Sequence, residues 1–214
     1  RKDAGARILK LFSEGKADML IGTQMIVKGH DYSHVTLVGV ILADLSLYAN
    51  DFRAGERTFE LLTQAAGRAG RGDKPGEVVI QTYQPEHYAI VAAAKKDYQA
   101  FYEMEMTYRR MLHYPPVYDM MQVLLTGQSK GKTESFAGIL GRNLKEKASA
   151  CGFTQTRIIG PGEAAIGKIN DEYRYVIYIK APGLGALYTL RDYIDTCACE
   201  GVVVTVDINP MTIC

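Results

Sequence analysis

A chain of 214 residues that is 47% hydrophobic has enough apolar side chain to bury a real core, and its length suits two modest domains better than one. Lys and Arg total 25 against 24 Asp and Glu, split 15 to 14 over residues 1–118 and 10 to 10 over 119–214. That balance excludes a basic module steering polyanions as a whole, and any nucleic-acid contact must be a local strip.

Apolar runs such as Val35–Ala43 and Tyr175–Ile179 fall far short of the about 20 residues that span a bilayer, so a soluble, cytoplasmic chain with no membrane partner is expected. The sequence begins at Arg1 and its first residues already read as helix, with no secretory leader, which suggests a piece of a larger protein. Four cysteines (Cys151, Cys197, Cys199, Cys214) in such a chain suit reduced thiols rather than a disulfide framework. Cys197 and Cys199 lack C-x-x-C spacing, so no metal site is expected here.

Taken in chain order, Ala4, Ile8, Leu11 and Phe12 form a helical stripe ending at Gly15, and Met19-Leu20-Ile21 then predicts a short strand opening into Gly22-Thr23. Thr36–Ala43 predicts a second buried strand ending at Asp44. Asp51 is the expected N-cap of a helix carrying Phe59, Leu62 and Ala66, and Val78–Gln81 a third strand. Strands alternating with helices predict a parallel sheet of the α/β type. Phe101, Met104, Tyr108, Met111 and Leu112 keep helical spacing until Pro115-Pro116, where a domain boundary is placed.

Beyond that boundary come a strand (Met120–Thr126), a helix through Phe136, Ile139, Leu140, Leu144 and Ala148, and strands at Thr156–Ile159 and Tyr173–Ile179. A helix through Leu187, Leu190, Ile194 and Cys197 and a last strand, Val202–Ile208, complete the order. This β-α-β-β-α-β succession predicts a split βαβ, ferredoxin-like α+β domain. Tyr173 and Tyr175 share one face of their strand and Tyr178 lies on the other. With Arg174 and Lys180 nearby they suit either an ordinary packed sheet or a base-stacking edge.

Chemistry concentrates in two segments. In Gln64-Ala65-Ala66-Gly67-Arg68-Ala69-Gly70-Arg71, two arginines three apart follow a helix among residues too small to block close approach, an arrangement that presents two guanidinium groups to one phosphate. In Gly22-Thr23-Gln24-Met25-Ile26-Val27-Lys28-Gly29-His30-Asp31, a polar loop follows the first expected strand, at the C-terminal edge where α/β sheets bind ligands. The spacing is expected to put both loops on one edge. Gly29 lets backbone N–H groups reach a phosphate, Thr23 and Lys28 suit a nucleic-acid backbone, and Asp31 suits a ribose hydroxyl or an arginine. His30 and His34 read as structural. A third segment, Gly127-Gln128-Ser129-Lys130-Gly131-Lys132-Thr133, follows a strand and opens a helix like a Walker loop, but it has three residues between its glycines where four are needed. It reads as a solvated connection with a helix N-terminus at Thr133.

The second loop has the form Q-x-x-G-R-x-x-R, matched by Gln64, Gly67, Arg68 and Arg71, and together with the first it resembles motifs VI and V of superfamily-two helicases. The wider string is similar to the primosomal replication-restart helicases, the PriA family. It includes Gly22–Met25, Lys28–Asp31, Val35–Val38, Asp51-Phe52-Arg53, Glu56-Arg57, Gly76-Glu77-Val78, Pro85-Glu86-His87, Pro115-Pro116 and Asp207–Pro210, and so covers essentially the whole chain, more loosely in its C-terminal half.

The resemblance implies a 3′-to-5′ DNA helicase that recognises abandoned forks and helps reload the replicative helicase. It implies that residues 1–86 are the C-terminal part of a RecA-like second lobe, 87–116 a linking helix, and 117–214 a C-terminal domain of ribosomal S10-like type. ATP and Mg²⁺ are held between two lobes, the first of which lies outside this chain. Arg71 is then the arginine finger, Arg68 its phosphate-contacting neighbour, and Gln64, Gly67, Gly29 and Asp31 line the nucleotide side, while Thr23, Gln24 and Lys28 face nucleic acid. The family's zinc-binding cysteines also lie outside this chain. Forked and single-stranded DNA, single-stranded DNA-binding protein and primosome proteins are the implied partners, and the chain by itself is expected not to hydrolyse ATP. Two other readings stand beside this one: a non-enzymatic module binding DNA forks or partner proteins, and a related superfamily-two translocase on RNA or branched DNA.

Overall fold

The structure, a computed structural model, describes residues 4–23, 32, 34–49, 51–70 and 75–213. It is mixed α/β and divides into two compact units: Arg1–Ala49 with Arg53–Met104, and Asn50–Phe52 with Glu105–Cys214.

The first unit begins with helix α1 (Ala4–Ser13), whose Phe12 is buried while Ile8 and Leu11 remain exposed. Strands β1 (Leu37–Val40) and β2 (Glu77–Ile80) pair in parallel, Leu37 opposite Glu77 and Val40 opposite Ile80. One face of this sheet turns Val40 and Ile80 toward helices α2 (Ala54–Ala66) and α3 (Tyr88–Lys95). The core there is Phe59, Leu62, Ala89, Ile90, Ala92 and Ala93, closed by Phe101 of α4 (Tyr98–Leu112), whose ring stacks on Phe59 at 4.2 Å. The other face leaves Leu37 58% and Val79 50% exposed.

Several sequence expectations change in this unit. Met19-Leu20-Ile21 is not a strand: Met19 and Ile21 are largely exposed, and these residues find no ladder partner among the described residues to satisfy a strand's N–H and C=O groups. The second strand is shorter than Thr36–Ala43, because Leu42 turns left-handed (φ 54°) and Ala43–Ser46 coils into a 3-10 turn. Asp51 does not cap α2, which starts after Arg53 without a side-chain cap. Residues 87–116 hold two helices rather than one. Lys96 ends α3 in the left-handed region, and the Asp97 carboxylate accepts the Ala100 N–H (2.9 Å) to open α4.

In the second unit, β3 (Asp119–Gly127), α5 (Lys130–Ala150), β4 (Arg157–Ile169), β5 (Glu172–Ala181), α6 (Leu184–Asp195) and β6 (Val202–Ile208) follow in the expected β-α-β-β-α-β order. The sheet is antiparallel throughout, in the spatial order β4-β5-β3-β6. Period-two alternation puts Met121, Val123 and Leu125 of β3 and Tyr175, Ile177 and Ile179 of β5 on the face covered by α5 (Ala137, Leu140, Leu144, Ala148) and α6 (Leu187, Leu190, Ile194). Each large aliphatic side chain buried in this way contributes roughly 1.5–3 kcal/mol.

Strand β4 runs about ten residues past the expected Thr156–Ile159. The Gly160-Pro161-Gly162 interruption is absorbed as a register shift, and Asn170 and Asp171 (φ 50° and 63°) close a tight hairpin into β5. Asn209 ties the end of β6 to the start of β3: its amide accepts from Met120 N–H (2.9 Å) and donates to Asp119 Oδ1 (2.8 Å).

A cation–aromatic stack lies within the same unit. The Arg109 guanidinium sits 5.5 Å from the Phe52 ring centre, Phe52 stacks on Tyr114 at 4.9 Å, and Lys180 Nζ lies 3.3 Å from the Tyr114 ring centre while donating to Leu112 O (3.0 Å). Burial, reinforced by nearby Arg157, lowers the Lys180 pKa to about 8. Among the described residues no helix is long and apolar enough to cross a membrane.

Candidate functional site: the end of helix α2

Helix α2 carries the second signature. Its buried side, Phe59, Leu62, Ala65 and Ala66, fixes which way the helix faces, and this leaves Gln64 and Gly67 exposed and Arg68 half-buried at its C-terminal end. The last carbonyls are already occupied, Thr63 O by Gly67 N–H (3.0 Å) and Ala65 O by Arg68 N–H (3.0 Å). A helix C-terminus carries partial negative charge, so a phosphate here must be attracted by side chains, and the arginines are the groups able to do that.

Gly70 then donates its N–H to Val35 O (3.1 Å), and Glu77 N–H reaches Thr36 O (2.8 Å). Gly70, the last described residue of the signature, therefore lies beside the residues leading into β1, at the N-terminal end of the two strands. The strand expected at residues 19–21 does not form, α2 runs back along the sheet to bring Gly70 to this end, and residues 24–31 of the first loop, expected on the same edge, lie outside the described residues.

Of the expected site residues, Gln64, Gly67, Arg68 and the exposed Thr23 are described. Gln24, Lys28, Gly29, Asp31 and Arg71 lie outside the described residues. The chain leaving the first loop is anchored by rings, Phe12 meeting Tyr32 edge-on at 5.0 Å and His34 at 5.3 Å, which gives His34 the packing role expected of it.

The C-terminal edge of the sheet holds a group that pattern reading passed over. Asp44, 2% exposed, accepts the Thr82 hydroxyl (2.6 Å) and the Tyr83 N–H (2.9 Å), joining the turn after β1 to the loop after β2. The Thr82 hydrogen bond, reinforced by the backbone N–H of Tyr83 and opposed by burial, holds its carboxyl below the usual range. Two residues on, the Ser46 hydroxyl bonds that of Thr58 (2.7 Å), which donates to Ala54 O inside α2 (2.8 Å). The chain of bonds thus runs from the edge turn into the helix that presents Gln64, Gly67 and Arg68. The available signal was an acidic residue closing an apolar strand, where a solvated loop carboxylate was the default.

The Walker-like segment has a different use. Helix α5 starts at Lys130, three residues before the expected Thr133, with Ser129 as its cap: Ser129 Oγ accepts from Lys132 N–H (3.4 Å), and Ser129 O accepts both the N–H (3.0 Å) and the hydroxyl (2.8 Å) of Thr133. Lys130 pairs with Glu163 at 2.8 Å. Part of the backbone cradle is therefore already filled by the protein itself. Tyr175 lies in the core between sheet and helices, while Tyr178 is half-buried on the opposite face.

Comparison with known proteins identifies the family. Residues 110–211 match the family model described as the primosomal protein N C-terminal domain. The chain is 44% identical to the replication restart protein PriA of Bacillus subtilis over 98% of its length and 26% of the relative's. It is 37% identical to the PriA protein of Synechocystis over all of its length and 25% of the relative's, and 34% identical to that of Treponema pallidum over 96% and 31%. The chain thus spans about a quarter of the length of these curated relatives. It belongs to the PriA family, whose C-terminal portion it corresponds to.

Proposed function

We propose that this chain is the C-terminal part of an ATP-dependent 3′-to-5′ DNA helicase acting in replication restart and primosome assembly at stalled forks. In this reading residues 1–86 belong to a RecA-like second lobe, 87–116 link, and 117–214 form a ferredoxin-like, S10-like domain, a name supported by the β4-β5-β3-β6 order. The observation that carries the reading is the placement of the signature. A sequence of Q-x-x-G-R-x-x-R form stands at the end of a helix whose apolar side is packed away, so that Gln64 and Gly67 face outward and Arg68 stands at the rim.

ATP with Mg²⁺ supplies a phosphoryl group whose transfer accumulates negative charge, and the phosphate loop and Mg²⁺ ligands come, by the family pattern, from a first lobe outside this chain. What these residues contribute is charge and position. Arg71 acts as the finger where charge develops, Arg68 contacts phosphate, Gln64 and Gly67 shape the approach with Gly29 and Asp31, and Thr23, Gln24 and Lys28 hold the DNA backbone. Zinc would bind at cysteines outside this chain. Single-stranded DNA-binding protein and primosome proteins are the proposed partners alongside forked DNA.

The test is DNA-stimulated ATP turnover in the full-length protein. Arg71→Ala should lower it by ~10³–10⁵-fold with folding intact, and Arg68→Ala should act in the same direction. Arg71→Lys should not rescue, because an ammonium lacks the planar guanidinium fork. Wild-type turnover in Arg71→Ala would return the segment to a glycine-rich helix end.

A further inference from the structure

We propose that strand β6 pairs with β6 of a second copy of this chain, antiparallel and about a twofold axis at Thr205, so that two C-terminal sheets join into one. This surface lies apart from the signature on α2 and does not depend on the role proposed for it.

The two edges of the C-terminal sheet are unlike. In the order β4-β5-β3-β6, strands β4 and β6 each have a single neighbour among the described residues. Strand β4 is a guarded edge: Gly160-Pro161 interrupts it, its pairing to β5 shifts register between Ile159 and Gly162 and again between Glu163 and Lys168, and a lysine stands near its end. Strand β6 carries no proline, no cation and no bulge, and keeps one unbroken register with β3 from Gly127 opposite Val202 to Met121 opposite Ile208. Apart from Asp207 its residues are all β-branched, which favours extended pairing.

The ladder decides which backbone groups face outward. Asn209 N–H donates to Met120 O (2.7 Å), continuing the register with β3, whereas Val202 N–H turns away to Cys199 O (3.0 Å). Antiparallel bonding alternates along a strand, so the N–H and C=O groups of Val204, Val206 and Ile208, with the C=O of Val202, point out of the sheet. They have no hydrogen-bond partner among the described residues. The side chains of Val202, Val204, Val206 and Ile208 form a partly buried rim of the core, and Val203 on the opposite face is 62% exposed. An unpaired backbone row beside half-covered valines is a template for one more strand.

The occupant is read from β6 itself. Turned about Thr205, Val202–Ile208 overlaps its copy from end to end. Val204 then exchanges both bonds with Val206 of the second copy, and Ile208 N–H reaches Val202 O, whose own N–H is already taken. Thr205 faces Thr205, a favourable cross-strand pair. Asp207, the strand's one charge, faces Val203, so the two carboxylates are held apart. An axis at Val204 would instead oppose Asp207 to Gly201, and one at Val206 would oppose Val203 to Asn209. Both Gly201 (φ 76°) and Asn209 (φ 51°) are left-handed and do not continue a ladder.

The experiment is sedimentation equilibrium of the full-length protein together with cysteine cross-linking. The wild type should shift from monomer to dimer with concentration. Val204→Pro removes an outward N–H that β3 does not use, so the monomer should keep its melting temperature while the dimer is lost. Thr205→Lys sets like charges face to face at the axis and should also lose the dimer, regaining part of it at high salt. Thr205→Cys brings two Cα atoms to about 4.5 Å, inside the about 4.4–6.8 Å that a disulfide spans. It should give an oxidised dimer that Val203→Cys, in the same background of native cysteines, does not. If Val204→Pro melts early, Thr205→Lys and the cysteine pair decide. A wild type that stays monomeric at every soluble concentration would overturn the proposal, and protection of the Val204 and Val206 amides from hydrogen exchange in that monomer would give the edge to another segment of the full-length protein. A dimer untouched by Thr205→Lys, or equal cross-linking at positions 203 and 205, would overturn it as well.

Discussion

In the C-terminal unit, two strands and two helices shut Met121, Val123, Leu125, Leu140, Leu144, Ile177, Ile179, Leu187 and Leu190 almost completely away from water, whereas the N-terminal unit fills its core largely with alanines around Phe59, Leu62, Ile90 and Phe101. The chemistry-bearing signature sits in the second of these settings. There the chain is positioned by hydrogen bonds and close backbone contacts (Asp44 to Thr82 and Tyr83, Ser46 to Thr58, Gly70 against Gly76) rather than by a thick apolar layer. The two units teach that a fold element and a site are held by different forces, and that the same substitution costs different amounts in each.

The largest effect on stability should come from opening the C-terminal core. Leu140→Ala removes side-chain volume that is 1% exposed and should lower unfolding free energy by ~2–5 kcal/mol in urea melts, while Leu37→Ala on the open face of β1 should stay within about 0.5 kcal/mol. Equal losses at the two positions would erase the contrast.

A smaller effect separates the units by pH. Lys180 is buried beside Tyr114 with a pKa of about 8, below the about 10.4 of a free lysine, so between those values the unfolded chain binds more protons than the folded one. Stability of the C-terminal unit should therefore rise as pH climbs from about 8 toward 10, and Lys180→Met should flatten that slope. Tyr114, whose pKa burial raises, works against folding only above its ordinary value near 10. The smallest effect belongs to Asp44. Its lowered pKa means a contribution fully present above about pH 3.9 and lost as pH falls through the folded value. Asp44→Asn should weaken the N-terminal unit at neutral pH and remove that acid-side dependence in thermal melts.

Legibility followed the same division. Every element of the C-terminal unit was visible in the sequence because strands with one packed face alternate cleanly and its helices keep their apolar stripes; the start of α5 was placed three residues late, and the length of β4 was missed, since Gly160-Pro161-Gly162 looks like a terminator and is in fact a bulge within a continuing strand. In the N-terminal unit, short continuous apolar runs such as Met19–Ile21 and Thr36–Ala43 carry no period that says where pairing stops. One of them forms no strand and the other is halved by a left-handed Leu42. The signature itself was fully legible as residue types and spacing. The bonds of Asp44 to Thr82 and Tyr83 and the close approach of Gly70 and Gly76 were not, because they join groups far apart in sequence or bare backbone.

The most direct test sets one residue of each region against the other by measuring DNA-stimulated ATP turnover of the full-length protein carrying Arg71→Ala or Lys132→Ala. Turnover lost with Arg71→Ala and kept with Lys132→Ala is the predicted result. Turnover kept with Arg71→Ala and lost with Lys132→Ala would contradict the account and move the nucleotide to the start of α5.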